Sequence, residues 1–274
     1  MYSWIRIIRP VNAIMGFVAT YISALVGIGL GLFHTEPLIL SSIAGVCVFL
    51  VISGGNIIND ISDAETDRIN HPDRPIPRGE ITVRNAGVAS VMFFVISAIL
   101  AAIFLNLLAG LVVITAIAIL VGYETRLKGT GLPGNLAISL LVGMIFIFGG
   151  IAVNSVPRMV LLFLMAFLTN TAREIIKDVE DMKGDVNRKT FPMQHGIKAS
   201  FLLVVLFTLA GIAFSLLTYA IGIFGVIYLI AVIIADAVFL VSLAVFSKSV
   251  ENSQNFSKLA MILGLVAFTV GGVA

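Results

Sequence analysis

Charged residues are scarce in this sequence of 274 residues, and cysteine is almost absent. Asp, Glu, Lys and Arg make up 12% of the chain, whereas a water-soluble domain has about 25%. Cys47 is the only cysteine and lies inside an apolar run, which excludes a disulfide framework and a thiolate metal site. Hydrophobic residues supply 59% of the sequence. The composition therefore excludes a fold built for water and indicates an integral membrane protein.

Motifs of several soluble enzyme classes are missing as well. The sequence has neither a GxxxxGK[ST] phosphate loop nor an HExxH zinc motif. Its histidines are scattered, which argues against a histidine metal site: His34, His71 and His195. No small-residue cleavage pattern follows the segment MYSWIRIIRP, so we expect insertion through the chain's own helices and no cleaved signal peptide. The net charge is only +2, and we expect no nucleic-acid partner.

Long apolar runs make up most of the chain. Crossing a membrane takes about 20 apolar residues, and nine segments qualify. They cover residues 11–33, 37–58, 85–105, 107–123, 135–153, 159–177, 199–219, 222–246 and 256–273, with only a weak break at Asn106 between the third and fourth. We therefore expect an all-α integral membrane bundle of nine transmembrane helices, with residues 1–274 forming a single domain.

The basic residues indicate how this bundle is oriented. With nine spans, all of the 17 Lys and Arg residues except Arg158 fall on one side of the membrane. Basic loops face the cytoplasm in membrane proteins. We therefore expect a multi-pass protein of the cell membrane, with its N-terminus and its charged loops in the cytoplasm.

Most of the acidic residues fall in two short segments on that same side. The first acidic segment runs from residue 59 to residue 67, directly after the second span. If the helix continues, Asn59, Asp63 and Asp67 share one face, because they are spaced i, i+4 and i+8. Asn56 and Asp60 form a second row beside them.

The second acidic segment runs from residue 174 to residue 185, after the sixth span. Its members again follow one helical face: Glu174, Asp178, Asp181 and Asp185. Stacked carboxylates destabilise a helix unless they are neutralised. Mg²⁺ neutralises them well, and proteins usually hold it with one or two carboxylates plus substrate phosphates. The two segments thus predict a site for Mg²⁺ and a diphosphate, although two solvated helix ends at the membrane boundary would give a similar pattern.

Cationic and polar residues near both segments complete a candidate phosphate site. Prolines at 72, 75 and 77 predict an ordered loop that carries Arg74 and Arg78. Guanidinium groups fork onto phosphate oxygens. Further candidates for substrate binding lie close to the same spans: Arg9, Asn12, Tyr123, Lys128, Lys177, Arg188 and Lys189. Topology alone explains the sign of these charges, but it does not explain why the acids gather on the same side.

Asp236 stands apart from both acidic segments, in the middle of the eighth span. An acidic residue inside a membrane is a functional candidate by default. Its distance along the chain from the other acids favours an interhelical hydrogen bond.

These motifs resemble the UbiA superfamily of intramembrane prenyltransferases along essentially the whole chain. The resemblance lies in Asn59-x-x-x-Asp63-x-x-x-Asp67, the loop Arg74-Pro75-Ile76, the acids Asp178, Asp181 and Asp185, the segment Arg9-Pro10-Val11-Asn12, and Tyr123 with Lys128. Many members have the lysine four residues after the tyrosine, and here the gap is five.

The resemblance implies a central cavity that faces the cytoplasmic side and opens sideways to lipid. It implies Mg²⁺ between the two acidic motifs, with Asp63, Asp67, Asp178, Asp181 and Asp185 as ligands and Asn59 beside them. It also implies transfer of a prenyl chain from an isoprenyl diphosphate to a lipophilic acceptor within membrane lipid. Either Glu174 or Asp181, or the diphosphate itself, could take the acceptor proton.

Within the superfamily, the segment from Arg173 to Asp181 and the following Gly184-Asp185 are most similar to archaeal ether-lipid enzymes. That similarity implies geranylgeranyl diphosphate as donor and geranylgeranylglyceryl phosphate as acceptor. An aromatic acceptor, such as a hydroxybenzoate or a naphthoate, or haem stays an alternative. So does a transporter or channel, although transporter acids usually lie near the midplane on broken helices. A CDP-alcohol phosphotransferase would begin its motif with Asp-Gly, and here Ile61 follows Asp60.

Overall fold

The computed structural model describes residues 2–182 and 189–273, and all regular secondary structure in these ranges is helical. The α-helices are α1 (Tyr2–Ile8), α2 (Pro10–Ile28), α3 (Thr35–Ser62), α4 (Ala64–Asn70), α5 (Val83–Leu100), α6 (Leu107–Gly122), α7 (Leu132–Ala152), α8 (Val156–Asp181), α9 (Phe191–Ala220), α10 (Val226–Val245) and α11 (Val250–Val273). A 3₁₀ turn at Gly29–Phe33 extends α2, and π turns at Ala101–Leu105 and Tyr123–Leu127 extend α5 and α6.

Nine helical segments in the described part of the chain are long and apolar enough to cross a membrane. With their flanking turns, they are Pro10–Phe33, Thr35–Ser62, Val83–Leu105, Leu107–Leu127, Leu132–Ala152, Val156–Asp181, Phe191–Ala220, Val226–Val245 and Val250–Val273. They overlap the nine segments expected from the sequence one for one. The all-α membrane bundle is therefore confirmed.

The weak break at Asn106 separates two spans as expected. Asn106 adopts an extended backbone, and its side-chain oxygen accepts a hydrogen bond of 2.8 Å from the Ala109 amide. This hydrogen bond satisfies one of the unpaired amides at the start of α6. The polar residue thus ends one apolar run and caps the next.

Small residues let the transmembrane helices approach one another closely. Helices α3 and α5 are joined by hydrogen bonds from Ser90 to the Gly54 carbonyl, at 2.9 Å, and from Ser97 to the Cys47 carbonyl, at 3.0 Å. Lipid provides no hydrophobic drive for helix association, so close packing and interhelical hydrogen bonds must supply it. Serine and glycine at these crossings provide both.

The main apolar core lies in the half of the bundle away from the acidic segments. It is formed by α2, α7, α8, α10 and α11, through residues that include Ile22, Val26, Phe146, Met159, Leu162, Tyr228 and Phe268. On one side of it Ser215 of α9 donates a hydrogen bond of 2.7 Å to Asp236 of α10, as favoured from the sequence. The main apolar core therefore lies at one end of the bundle, and polar side chains collect at the other beside two smaller apolar clusters around Ile57 and Ile176.

The orientation of this bundle can be tested with two single cysteines. Glu36 and Asp73 are both exposed, at opposite ends of the bundle. In right-side-out vesicles, Glu36→Cys should react with an impermeant thiol reagent, whereas Asp73→Cys should react only after permeabilisation. The native Cys47 is fully buried and keeps the background low. The reverse labelling pattern would contradict the cytoplasmic placement of the acidic segments.

Candidate functional site

The first acidic segment lies where one helix gives way to another. Helix α3 ends at Ser62, Asp63 has φ −91° and ψ 2°, and α4 starts at Ala64. Backbone hydrogen bonds of 3.0 Å from Asp63 to Asn59 and 2.8 Å from Asp67 to Asp63 cross the break. The expectation of one unbroken helix is therefore wrong at Asp63, but the i, i+4 stacking that it was meant to give is retained.

Lys128 is held by two carboxylates at this end of the bundle. Its ammonium group lies 2.8 and 2.9 Å from the two oxygens of Asp63 and 2.9 Å from Glu124. Glu124 also accepts a hydrogen bond of 3.0 Å from the Asn59 amide. The structure thus brings together Asn59, Asp63 and Lys128 as the sequence predicted, and it adds Glu124, which sequence reasoning missed.

A π turn at Tyr123–Leu127 gives Lys128 its position. The Lys128 amide donates to the Tyr123 carbonyl at 2.7 Å, so the hydrogen bond spans five residues instead of the four of an α-helix. The five-residue gap between tyrosine and lysine therefore fits into the turn. The only sequence signal for Glu124 was its position four residues before Lys128.

Arg74 and Arg9 neutralise the other carboxylates of the first acidic segment. Arg74 lies 2.5 Å from Asp67 and 3.7 Å from Asp60. Arg9 pairs with Asp60 and donates a hydrogen bond of 3.2 Å to Asn59. Asp60 and Asp67 are both 3% exposed, so each needs a partner to remain charged. The proline-rich loop that carries Arg74 is ordered through its own backbone hydrogen bonds, as predicted.

Arg9 reaches this cluster from a strained backbone. It links α1 to α2 in the left-handed region, with φ 49° and ψ 68°. Non-glycine residues seldom adopt this conformation, which costs about 1–3 kcal/mol and persists only where surrounding contacts enforce it. The pairing with Asp60 and Asn59 supplies such contacts.

The second acidic segment faces a polar pocket. Asn135 of α7 donates a hydrogen bond of 2.9 Å to Asp178, and Arg173 pairs with Glu174. The pocket is lined by Tyr123, Gly129, Gly131, Gly134, Asn135, Glu174, Lys177, Asp178, Asp181 and Thr190. Tyr123, Lys177 and the first three acids of this segment thus come together as the sequence predicted.

The π turn connects the two acidic segments. On one side, its Glu124 accepts from Asn59 of the first segment. On the other side, it packs against the start of α7, where a methyl group at Gly134 would lie 2.7 Å from the Leu127 carbonyl oxygen. The next residue, Asn135, holds Asp178 of the second segment. Both segments therefore meet at one end of the bundle, which we call the polar end.

Some predicted site residues make other contacts in the structure. Asn56 donates to the Ile8 carbonyl at 2.8 Å and so anchors α1. Arg78 is half exposed and lies 3.1 Å from Glu80. Asn12 is exposed on α2, and the Lys189 backbone amide donates to the Gly129 carbonyl at 2.9 Å. Asp185 and Arg188 lie outside the described residues.

The donor set of the polar end suits Mg²⁺. Across residues 2–182 and 189–273, no three Asp, Glu, His or Cys side chains converge closely enough to hold a metal ion by themselves. Mg²⁺ is usually bound by one or two carboxylates together with phosphate oxygens and water. Paired acids that face a pocket fit this kind of binding, with the phosphates completing the coordination.

Comparison with known proteins places the fold in a family. A model of the UbiA prenyltransferase family matches residues 20–267. Digeranylgeranylglyceryl phosphate synthase of Methanosphaera stadtmanae is 38% identical and covers 100% of both chains. The enzyme of the same name from Methanothermobacter thermautotrophicus is 38% identical over 99% of this chain and 96% of its own length.

Solved structures agree with the sequence comparison. A structure described as digeranylgeranylglyceryl phosphate synthase in membranes aligns with a TM-score of 0.86 and 32% identity, over 99% of this chain and 98% of the other. A UbiA homologue from Archaeoglobus fulgidus, bound to DMAPP and Mg²⁺, aligns with a TM-score of 0.69 over 98% of this chain and 99% of its own. At 17% identity the latter shows a shared fold.

The loop below the pocket requires glycine at position 131. Gly131 has φ +78°, and a methyl group there would lie 2.7 Å from the Phe191 nitrogen. Gly131→Ala should therefore lower stability by about 1–3 kcal/mol, because residues other than glycine seldom adopt φ 78° with ψ −129°. Gly87→Ala is the matched control, because this helical glycine has open space around it and a normal φ. Melting temperatures in detergent would test this, and equal values for the two variants would contradict the prediction.

Proposed function

The chain belongs to the UbiA prenyltransferase family, and we propose that it transfers a geranylgeranyl group to geranylgeranylglyceryl phosphate. The donor is geranylgeranyl diphosphate, and the product is digeranylgeranylglyceryl phosphate. One observation carries this proposal: relatives named digeranylgeranylglyceryl phosphate synthase are 37–38% identical over 97–100% of this chain. An allylic diphosphate also suits a protein whose acids and bases gather at the end of an apolar bundle.

We assign the donor diphosphate to the polar end, between the two acidic segments. Lys128 and Arg74 already contact Asp63 and Asp67, so each can reach a phosphate oxygen beside those carboxylates. Tyr123, Lys177 and Asn135 line the pocket from the other side. The prenyl chain would then extend from the diphosphate into the apolar interior.

Mg²⁺ completes this assignment. Asp63, Asp67, Asp178 and Asp181 are its proposed ligands, with Asn59 beside them, and Asp185 is included from the sequence alone. When bound, Mg²⁺ supplies positive charge that neutralises the departing diphosphate. Two solved structures of a UbiA homologue from Archaeoglobus fulgidus carry Mg²⁺ together with DMAPP or GPP. Because these are distant in sequence, they support the cofactor only by analogy.

The chain's own residues bind the diphosphate, orient the two substrates and keep water away from the reacting carbon. Lys128 and Arg74 stabilise negative charge as the bond between the allylic carbon and the diphosphate oxygen breaks. The apolar helices exclude water, which would otherwise capture the allylic cation. A glycerol hydroxyl of the acceptor attacks that carbon and forms an ether bond. Its proton passes to Glu174, to Asp181 or to the released diphosphate.

The acceptor phosphate needs cations beyond those that face the donor. A phosphate monoester carries about −1.5 to −2 charge at neutral pH. Arg78 and Lys189 lie near the polar end, Arg9 borders it, and Arg188 extends the set in the sequence. We propose that some of these hold the acceptor phosphate. In the cell membrane, the polar end would lie on the cytoplasmic side. The diphosphate of the donor and the phosphate of the acceptor could both enter the site from there.

Removal of the first-segment acids tests the metal assignment. Asp63→Ala and Asp67→Ala should each lower transfer by about 100-fold or more, because each removes a carboxylate from the metal-diphosphate site. The fold should survive, since Lys128 keeps Glu124 and Arg74 keeps Asp60 as partners. EDTA should reproduce the loss in the wild type, and Mg²⁺ should reverse it. Asp73→Ala, in an exposed loop, is the control, and full activity of Asp63→Ala would refute the assignment.

A panel of acceptors tests the substrate. With labelled geranylgeranyl diphosphate, we expect product from geranylgeranylglyceryl phosphate and little or none from 4-hydroxybenzoate or a naphthoate. Arg78→Gln should raise the KM of the acceptor more than that of the donor, because it removes positive charge proposed to face the acceptor phosphate. Arg84→Gln, an exposed arginine at the start of α5, is the matched control. Efficient prenylation of a hydroxybenzoate with an inert glyceryl phosphate would refute the acceptor and leave the family unchanged.

A further inference from the structure

We propose that Glu124 is a positioning residue: it holds Lys128 and Asn59 in place when the Asp63 carboxylate turns to a divalent metal ion. The inference rests on the proposed function only in that Asp63 faces a metal. Nothing in the spacing of the two acidic segments pointed to this residue. The contacts of its two carboxylate oxygens carry the argument.

Glu124 bridges two groups of the candidate site. One of its oxygens accepts from Asn59 at 3.0 Å, and the other accepts from Lys128 at 2.9 Å. Its side chain is 4% exposed, so the carboxylate is nearly removed from solvent. A buried carboxylate is tolerated when it is paired and hydrogen-bonded, and both conditions hold here. Glu124 is thus a permanent counter-ion inside the bundle.

Lys128 has two anionic partners, and only one of them is a proposed metal ligand. Asp63 is 21% exposed on its side chain, whereas Glu124 is 4% exposed. Asp63 is therefore the partner that an incoming cation can reach. When Asp63 binds a metal, Lys128 stays close through Glu124 and still has N–H groups to offer a phosphate oxygen, because an ammonium has three donors.

Asn59 is oriented by the same carboxylate. Its amide nitrogen donates to Glu124, and its amide oxygen accepts from Arg9 at 3.2 Å. The two contacts turn the amide nitrogen of Asn59 toward Glu124 and its amide oxygen toward Arg9. Glu124 therefore sets the direction of the Asn59 oxygen as well as the position of Lys128.

The charges around Lys128 explain why a neutral residue at position 124 would not keep Lys128 in place once Asp63 binds a metal ion. Arg9, Arg74 and Lys128 face the carboxylates of Asp60, Asp63, Asp67 and Glu124, so these described side chains carry one net negative charge. With glutamine at position 124, Asp63 would be the sole anion within 4 Å of Lys128 among the described residues. A metal ion would then have to break this ion pair to reach Asp63.

The test compares Mn²⁺ affinities in purified, detergent-solubilised protein, with and without inorganic pyrophosphate and with no prenyl substrate. Free Mn²⁺ is measured by electron paramagnetic resonance. We expect E124Q to bind Mn²⁺ about tenfold more weakly than the wild type, which lies within the coupling range of neighbouring charges. Removing the competing cation as well, in E124Q/K128M, should restore the affinity measured without pyrophosphate to within about threefold of the wild type, because Lys128 has no phosphate to bind in that condition.

Folding is monitored separately by elution profile and melting temperature. The matched control is E251Q, which changes an exposed glutamate in the first turn of α11. This variant should bind Mn²⁺ like the wild type. If E124Q does not fold, E124D and E124D/K128M replace the pair, because aspartate keeps the charge but shortens the reach to Lys128. The same weakening and recovery are expected.

Three outcomes would overturn the inference: unchanged affinity in folded E124Q, no recovery in the double variant, or no Mn²⁺ binding by the wild type in either condition. Loss without recovery would mean that Glu124 only supports the fold. The proposed function is judged by a different measurement. If the wild type binds Mn²⁺ but transfers no geranylgeranyl group to any acceptor, that function fails and the result for Glu124 stands.

Discussion

Neutralisation of carboxylates at the edge of an apolar bundle is the interaction on which the candidate site depends. Asp60 and Asp67 are almost fully buried, and such groups cannot stay charged without partners. Arg9 and Arg74 supply them from two different segments. Each cation therefore ties one part of the chain to the end of α3. The ion pairs of Arg9 and Arg74 therefore hold the polar end together, and the same charged groups belong to the proposed substrate site.

The rest of the bundle holds the helices so that these charged groups meet at the polar end. Aromatic and aliphatic side chains pack the opposite half, and serine and glycine let helices such as α3 and α5 cross closely. At the end that carries the acidic segments, polar contacts join the helices together with two smaller apolar clusters around Ile57 and Ile176. Helix α7 illustrates the division, because its start holds Asp178 through Asn135 and its far half contributes Phe146 to the core. The main apolar core and the candidate site thus lie at opposite ends of these helices.

The sequence was sufficient for the architecture and for most of the residues that the structure brings together at the polar end. Apolar length predicts the nine spans, and helical spacing predicts which acids share a face. The sequence did not predict the local backbone geometry at the site. The break at Asp63 and the π turn before Lys128 are changes of one hydrogen bond each, and side-chain spacing does not reveal them. Glu124 escaped notice because its role depends on Asn59, which is 65 residues away.

The π turn has a consequence for recognising related chains. The five-residue separation of Tyr123 and Lys128 fits within one π turn, and the lysine reaches Asp63 from the end of that turn. A motif search that requires tyrosine and lysine at a fixed separation would discard this protein. Alignments through this stretch should allow a one-residue gap, because the π turn lets a lysine five residues after the tyrosine place its ammonium group beside Asp63.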